Sequence, residues 1–308
     1  MTQALRLGIF SANVVADWAE EHGVFAGHGL AVEQIPVPSS PAQFAALTAG
    51  EYDAVLTAPD NVATYVLNEA NPLGRRLDLQ ILRAVDRGGR LSLVGGPDVR
   101  RPEDLAGRRF GVDVPTSGFA LVGFALLRAA GLEAGRDYEV VTAGSTPRRR
   151  QLLAEGAFEA TLLNAGHEAR AARAGAHVLG VVSDAVRPYL GTVLATNSDG
   201  TTSDGTTPQV EALLAAWDEA EDAVLRPENR DRVLALLARQ PDTDAEIAAE
   251  MYRTLRDPDH GLCAGGEVDP AALEAVLRLR ATQGGFESEH DLAALARPGG
   301  GLVRAPRS

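Results

Sequence analysis

A stretch of the chain repeats itself 106 positions further along, from Ser39 to Ser145. The first copy contains Ser39-Ser-Pro41 and then Tyr52-Asp-Ala54, and the second contains Ser145-Thr-Pro147 and then Phe158-Glu-Ala160. In each copy a polar turn with proline begins a helix, and the apolar run that follows predicts a strand. An internal repeat constrains the architecture strongly, because both copies are expected to fold as the same unit. We therefore predict two similar lobes.

Strands and helices alternate in both copies, which is typical of an α/β fold. We predict that each lobe has a mostly parallel sheet flanked by helices. The length of 308 residues also exceeds that of a usual single domain. We place lobe I at residues 1–88 and 192–308, including the C-terminal helices, and lobe II at residues 89–191. The chain then crosses between the lobes twice, which predicts a hinge.

Two segments have compositions that predict little regular structure. Residues 196–208 are rich in Asn, Ser, Asp, Gly and Thr, and we expect a polar surface loop there. The tail from Pro298 to Ser308 contains three glycines in a row, and we expect it to be loosely held.

The composition excludes several classes of function. With 42 acidic and 29 basic residues, the net charge of −13 disfavours nucleic acid and anionic membranes as partners. No apolar run approaches the roughly 20 residues of a membrane span, so no membrane insertion is expected. Cys263 is the only cysteine, which excludes an internal disulfide and a cysteine-based metal cluster. The histidines have no metal-ligand spacing and no nucleotide-binding fingerprint occurs, so we expect neither a metal nor a cofactor.

The first ten residues lead directly into a predicted strand. They contain no basic region followed by a long apolar segment and a small-residue cleavage site. As written, the sequence therefore predicts a cytoplasmic protein. A truncated or misassigned start would instead predict a periplasmic or extracellular one.

Several short motifs occur in a characteristic order between residues 5 and 195. They are Gly27-His-Gly-Leu-Ala-Val32, Leu47-X-X-Gly-X-Tyr-Asp-Ala54, Pro102-Glu-Asp-Leu-Ala-Gly-Arg-Arg-Phe-Gly-Val112, and Leu152-Leu-Ala-Glu-Gly156 followed by Phe158-Glu-Ala160. In this order and spacing the chain resembles the type II solute-binding proteins of ABC transporters. It is most similar to the branch of nitrate, sulfonate and taurine, and thiamine-pyrimidine binders that includes the NMT1/THI5-like proteins.

This resemblance implies a function as well as a fold. It implies that a small organic solute binds in the cleft between two lobes, that the lobes close about the hinge, and that an ABC permease is the partner. A related carrier or sensor role follows from the same resemblance. It implies no catalytic residue.

Ligands of open parallel α/β sheets bind beyond the carboxyl ends of the strands. Applied to both lobes, this rule selects loops rich in hydroxyl and amide groups, which can hold polar ligand groups without a buried cation. The predicted ligand-binding residues are Ser11, Ala12, Asn13, Ser39, Ser40, Thr57, Asp60, Asn61, Asp86, Thr116, Ser117, Gly118, Phe119, Asn164 and His167.

Some of these residues have a second interpretation. Ser11 and Ser117, which the ungapped shift aligns, could each cap a helix, bind the ligand, or do both. Asp60 could cap the helix that follows or pair with a ligand cation. If Asp60 and Asp86 both face the ligand, it should be neutral or cationic, which favours an amine or an N-heteroaromatic compound.

Other side chains have structural interpretations. Trp18 is placed in the core, although Trp18 or Phe119 could stack on a ligand ring, and Arg148-Arg-Arg150 is expected on a solvated helix face.

A catalytic alternative uses the only histidine and carboxylate pair at a predicted strand end. His167, with Glu168 or Asp60, could transfer a proton in a decarboxylase, isomerase or hydrolase of a small acid. The same fold also occurs in a yeast-type pyrimidine synthase, whose cysteine-rich iron motif is missing from this sequence.

Overall fold

The computed structural model describes residues 4–198, 207–282 and 290–305. The chain forms two compact units. The first comprises the described residues of Met1–Asp86, Leu190–Leu236 and Leu262–Ser308, and the second comprises Arg87–Tyr189 and Leu237–Gly261. Residues 237–261, which the predicted boundaries assign to lobe I, therefore belong to the second unit.

The strands are β1 (Leu5–Ile9), β2 (Val32–Pro36), β3 (Ala54–Thr57), β4 (Leu79–Asp86), β5 (Ser92–Gly95), β6 (Arg109–Val112), β7 (Glu139–Thr142), β8 (Ala160–Leu163), β9 (His177–Val181) and β10 (Thr192–Asn197). The α-helices are α1 (Val14–Glu21), α2 (Val24–Gly27), α3 (Ser40–Thr48), α4 (Pro59–Leu67), α5 (Gly118–Ala129), α6 (Thr146–Ala154), α7 (His167–Arg173), α8 (Pro208–Leu225), α9 (Arg230–Leu237), α10 (Ala245–Leu255), α11 (Pro270–Ala281) and α12 (Leu292–Leu295).

Each unit contains one sheet of five strands. The order is β2-β1-β3-β10-β4 in the first unit and β7-β6-β8-β5-β9 in the second. In the first sheet only β10 runs against the other strands, and in the second only β5 does. Both reversed strands follow directly after the chain has crossed from one unit into the other. The prediction of two α/β units with mostly parallel sheets and additional C-terminal helices is confirmed.

The internal repeat is visible in the elements themselves. Helices α3 and α6 are related by the predicted shift of 106 positions at both ends, as are strands β3 and β8. Strands β1 and β6 are an exception. Leu7 lies opposite Ala54 in the first sheet, and Phe110 lies opposite Ala160 in the second. The shift from Leu7 to Phe110 is 103, so the ungapped alignment is wrong for β1 and β6.

The same aromatic contact recurs in both copies. A Cβ atom on Gly8 of β1 would lie 2.9 Å from the ring of Tyr52, and one on Gly111 of β6 would lie 2.5 Å from the ring of Phe158. Only glycine lets an aromatic ring pack flat on the strand at these positions. The aromatic residue of each Tyr-Asp-Ala or Phe-Glu-Ala motif therefore packs against a strand of its own unit, β1 for Tyr52 and β6 for Phe158.

The expectation of a loosely held tail is wrong for its described part. Val303 bridges to Ile81 of β4, and Leu302 is fully buried. Residues 298–305 thus extend the first unit along one edge of its sheet. Within the expected loop 196–208, strand β10 continues to Asn197, and residues 199–206 lie outside the described residues.

Candidate functional site

The loop after β1 exposes side chains at the carboxyl end of the first sheet. Phe10, Ser11 and Ala12 are all exposed, and Phe10 is 43% exposed despite its apolar ring. Asn13 ends the loop as the N-cap of α1, where its Oδ1 accepts hydrogen bonds from the N–H groups of Val15 (2.9 Å) and Ala16 (3.3 Å). The interpretation of Ser11 as a helix cap is wrong, because Asn13 has that role.

Polar side chains after β2 and β3 are joined by hydrogen bonds. The Asn61 Nδ2 group donates to Ser40 Oγ at 3.1 Å and to Thr57 Oγ1 at 3.4 Å. Ser39 caps α3, accepting from the N–H of Ala42 at 3.4 Å. Three of the predicted residues, Ser40, Thr57 and Asn61, are therefore brought together at the carboxyl edge of the first sheet.

A buried side chain of α3 also forms a hydrogen bond at this edge of the sheet. Gln43 of α3 is fully buried, and its Nε2 donates to the carbonyl of Leu56 at 3.1 Å. In the second unit the residue 106 positions later is Arg149 of α6. Its Nε and Nη2 each donate to the carbonyl of Leu162 at 3.2 Å, and Leu162 in turn is 106 positions after Leu56. The two units therefore fix the ends of equivalent strands in the same way.

Asp60 is engaged inside the first unit. It is the second residue of α4, does not cap that helix, and is 2% exposed. Its carboxylate forms a buried ion pair with Arg280 of α11. The interpretation of Asp60 as a helix cap is wrong, and its charge is already neutralised by Arg280. One of the two carboxylates that favoured a neutral or cationic ligand is therefore already paired inside the protein.

The corresponding loop of the second unit follows β6. Ser117 is the N-cap of α5: its Oγ accepts from the N–H of Ala120 at 3.0 Å and donates to the Asp113 carboxylate. Val114 in this loop is 45% exposed, Thr116 is exposed, Gly118 is buried, and Phe119 is half-buried. The Ser117 cap and the Asn13 cap are thus the equivalent pair, although the ungapped sequence shift aligned Ser117 with Ser11.

Two further predicted residues lie at strand ends, Asp86 in the first unit and Asn164 in the second. Asp86 is the last residue of β4 and is half-buried; its carbonyl accepts from the N–H of Gly191 at 2.9 Å. Asn164 follows β8, and its Nδ2 donates to the carbonyl of Gly88 at 3.3 Å. The next residue, Ala165, has a φ of 53°, a left-handed conformation that is unusual for alanine.

His167 and Glu168 begin α7, and burial perturbs both. Burial, together with the positive charges of Arg170, Arg150 and Arg149, lowers the pKa of His167 to about 4. Burial raises the pKa of Glu168 to about 7. Among the described residues, the His167 Nδ1 and Glu168 Oε2 atoms are buried without a hydrogen-bond partner, and no hydrogen bond joins the two side chains. At neutral pH the His167 ring is uncharged and suited to hydrogen bonding.

Sequence reasoning missed three features of these edges. Arg149 is only 2% exposed, so the expectation that it lies on a solvated helix face is wrong. Phe10 and Val114 are two of the three exposed large hydrophobic residues in the described part of the chain. Phe10 lies one residue beyond β1, and Val114 lies two residues beyond β6. The sequence signal for Phe10 is an apolar residue directly after the buried strand β1, whereas Val114 follows Asp113 and has no such signal. Trp18 is 3% exposed, and its placement in the core is confirmed.

Two further findings concern what the described residues do not contain. Within residues 4–198, 207–282 and 290–305, no helix is both long and apolar enough to cross a membrane. In the same ranges, no group of three or more His, Cys, Asp and Glu side chains is placed to hold a metal ion.

Two α/β units of this topology define the class of proteins with the periplasmic-binding-protein fold. The alkanesulfonate-binding protein SsuA from Xanthomonas axonopodis pv. citri, solved with bound MOPS, has a TM-score of 0.73 at 17% identity, with 96% of this chain and 98% of that chain covered. The periplasmic nitrate-binding protein NrtA from Synechocystis PCC 6803 has a TM-score of 0.77 at 15% identity, covering 95% and 84%. A Candida albicans protein with the generic periplasmic-binding-protein fold has a TM-score of 0.74 at 16% identity, covering 99% and 97%.

The chain belongs to the NMT1-like family, whose sequence pattern matches residues 2–238. None of the curated protein sequences matches the chain.

Proposed function

We propose that this protein is the solute-binding component of an ABC-type uptake system. Loops at the carboxyl ends of the strands would bind a small organic solute, which the protein would deliver to a permease. The proposal rests on a loop that has the same features in both units. In each unit an exposed apolar residue, Phe10 or Val114, is followed by a polar helix N-cap, Asn13 or Ser117. Such loops combine apolar contact with hydrogen-bonding groups, as small-molecule sites do.

The relatives support a role in transport. Structures with this fold include proteins described as binding alkanesulfonates and nitrate, and the nitrate-binding protein is described as periplasmic. A protein that supplies an importer works on the outer side of the cytoplasmic membrane. We therefore propose a periplasmic or extracellular location rather than the cytoplasmic one.

The ligand class proposed here is broader than an amine or an N-heteroaromatic compound. That narrower class depended on Asp60 and Asp86 both facing the ligand, and Asp60 is paired with Arg280. The exposed ring of Phe10 and the Ser40, Thr57 and Asn61 cluster instead fit a solute that has an apolar part and at least one hydrogen-bonding group. Amines and N-heteroaromatic compounds remain members of this class.

A solute screen on the full chain tests the proposal. The melting temperature would be measured with amines, N-heteroaromatic compounds, sulfonates and carboxylates, and each stabilising compound would be recovered and analysed by mass spectrometry. We expect at least one compound to raise the melting temperature in a saturable way and to be recovered unchanged. Recovery of a converted product would support the catalytic alternative with His167 and Glu168, and the absence of any saturable stabilisation would contradict the proposal.

A further inference from the structure

A cavity of about 420 Å³ lies in the second unit, beside the C-terminal end of α10. Part of its lining is one face of that helix and of the turn after it, where Glu250, Arg253, Thr254 and Asp257 stand at positions i, i+3, i+4 and i+7. Small-molecule sites have volumes of about 300–1,000 Å³, so the cavity is large enough for one. None of the described residues that line it is among the predicted ligand-binding residues.

Hydrogen bonds hold the rest of the lining in place. It consists of Arg90 in the turn before β5, Val181 at the end of β9, and His260. The N–H of Gly89 donates to the carbonyl of His260 at 3.1 Å, and the carbonyl of Arg90 accepts from Ser92 Oγ at 2.7 Å. Arg90 has a φ of 59°, a left-handed conformation that residues other than glycine seldom adopt. These contacts fix the backbone around the cavity, and its shape is therefore largely pre-formed.

The lining carries charges of both signs. Arg90 Nη1 donates to Glu250 Oε1 at 2.7 Å, so these two charges are paired. Arg253 and Asp257 have the i, i+4 spacing that usually permits an ion pair along a helix face. Even so, neither of these two side chains forms an ion pair with any residue that the structure describes. The cavity therefore offers one cation and one anion close together, and each is available to a ligand.

Hydrogen-bonding groups accompany these two charges. Asp257 Oδ1 accepts from the N–H groups of Asp259 at 2.9 Å and His260 at 3.0 Å, which leaves its other carboxylate oxygen for a ligand. His260 Nε2 lies 3.4 Å from Ser183 Oγ, and its Nδ1 is buried without a hydrogen-bond partner in the described parts of the chain. A buried nitrogen without a partner destabilises the site, and a polar ligand group could satisfy it.

We propose that this cavity binds a small zwitterion, a molecule that carries both an ammonium group and a carboxylate. Arg253 would hold the carboxylate, and Asp257 would hold the ammonium group. A simple anion would lie beside the carboxylates of Asp257 and Glu250, and a simple cation would lie beside Arg90 and Arg253. A zwitterion instead meets an opposite charge at each end, so the balanced lining selects for it.

This site lies within one unit and does not require the solute-binding proposal to hold. The two proposals concern different residues, and their experiments can therefore fail separately.

The test uses the full chain and isothermal titration calorimetry at neutral pH. Glycine, β-alanine and γ-aminobutyrate are the zwitterions, and they differ in the distance between their two charges. Butyrate and butylamine each carry only one of the two charges of γ-aminobutyrate, and sodium chloride would equalise the ionic strength. We expect at least one zwitterion to bind saturably, and about tenfold or more tightly than butyrate and butylamine.

Two charge-removing variants then locate the site. Arg253→Gln removes the cation from an exposed position, and Asp257→Asn removes the anion while keeping a side-chain oxygen that can accept the two N–H groups of the turn. Each should weaken zwitterion binding about tenfold. The matched control is Arg148→Gln, an exposed arginine on α6 whose Nη1 donates to Gln151, and its affinity should stay within about twofold of the unaltered chain.

A further variant separates this site from the proposed solute site. Phe10 lies in the loop after β1 in the first unit, so Phe10→Ala should leave zwitterion binding unchanged.

Three results would overturn the zwitterion site. The first is that none of the three zwitterions binds more tightly than butyrate and butylamine. The second is that Arg148→Gln weakens binding as much as Arg253→Gln, since the effect would then reflect overall charge. The third is that Phe10→Ala abolishes zwitterion binding, which would assign the zwitterion to the proposed solute site.

Discussion

Gln43 and Arg149 occupy equivalent positions in the two units, and each donates a hydrogen bond to the carbonyl of an equivalent strand residue, Leu56 or Leu162. Both side chains are buried, but one is neutral and the other is charged. The repeat thus preserves the hydrogen bond while the charge differs. The second unit carries a buried cation at the edge where the first unit carries an amide.

Replacing Gln43 by alanine should destabilise the protein. The substitution leaves the buried carbonyl of Leu56 without its side-chain donor, and such a loss costs about 1–3 kcal/mol. Urea unfolding followed by circular dichroism measures this as a lower transition midpoint. Gln151→Ala is the control, because Gln151 is an exposed residue on α6 and its replacement should change the free energy of unfolding by less than about 0.5 kcal/mol. Equal effects of the two substitutions would contradict the supporting role of Gln43.

Breaking the ion pair of Asp60 and Arg280 should cost more than breaking an exposed pair. Both side chains are buried, so Asp60→Asn removes the carboxylate charge that pairs with Arg280, at a cost of about 3–5 kcal/mol. Arg278→Met provides the comparison on the same helix, since Arg278 is 66% exposed and its pair with Glu274 is worth well under 1 kcal/mol. The free energy of unfolding from urea titration would be compared for the two variants. A small effect of Asp60→Asn would show that Asp60 is not tied to Arg280 in solution.

The sequence predicted the fold because the signals it carries are local. The polar turns at Ser39 and Ser145 and the apolar runs after them each determine an element without reference to distant residues, and both copies adopt the predicted helix and strand. The same reasoning failed for β1 and β6. Three residues fewer separate β1 from β2 than separate β6 from β7 in the corresponding registers, and an ungapped comparison cannot detect that difference.

The site residues were harder to predict because their partners are distant in sequence. Asp60 reads as an ordinary helix-start carboxylate, and only the folded chain brings Arg280 to it across 220 positions. Arg149 sits in a run of three arginines, and the pattern of charge alone gives no sign that the middle one points inward to the carbonyl of Leu162. By contrast, the cluster of Ser40, Thr57 and Asn61 joins residues that the strand-end rule had already placed at one edge.

The pH dependence of stability should separate His167 from Glu168. A carboxyl group whose folded pKa is raised to about 7 stabilises the fold only while protonated, so the contribution of Glu168 is lost as pH rises from about 4.5 to 7. A histidine whose folded pKa is lowered to about 4 acts oppositely: the contribution of His167 is present above about 6.5 and is lost as pH falls toward 4. The contributions of Glu168 and His167 to folding stability therefore change with pH in opposite directions.

Two variants separate these two effects of pH on folding stability. Relative to the unaltered chain, Glu168→Gln should gain stability as pH rises from about 4.5 to 7, whereas His167→Gln should gain stability as pH falls from about 6.5 to 4. The free energy of unfolding would be measured at each pH in one ionic strength. Glu228→Gln, at an exposed position, serves as the control and should follow the unaltered chain throughout. Parallel pH profiles for all three variants would contradict the perturbed ionisation of the α7 residues.

Phe10 should contribute to solute affinity without contributing much to stability. Phe10 is 43% exposed at the carboxyl end of β1, so Phe10→Ala removes less buried surface than truncation of a core residue would, while a bound solute would cover the exposed part of the ring. For a compound found in the solute screen, we expect the dissociation constant to rise about tenfold and the melting temperature of the free protein to change little. Val178→Ala is the matched control, because Val178 is 39% exposed on β9 and follows neither β1 nor β6. If Val178→Ala weakened binding equally, or if Phe10→Ala left affinity unchanged, the loop after β1 would not be part of the solute site.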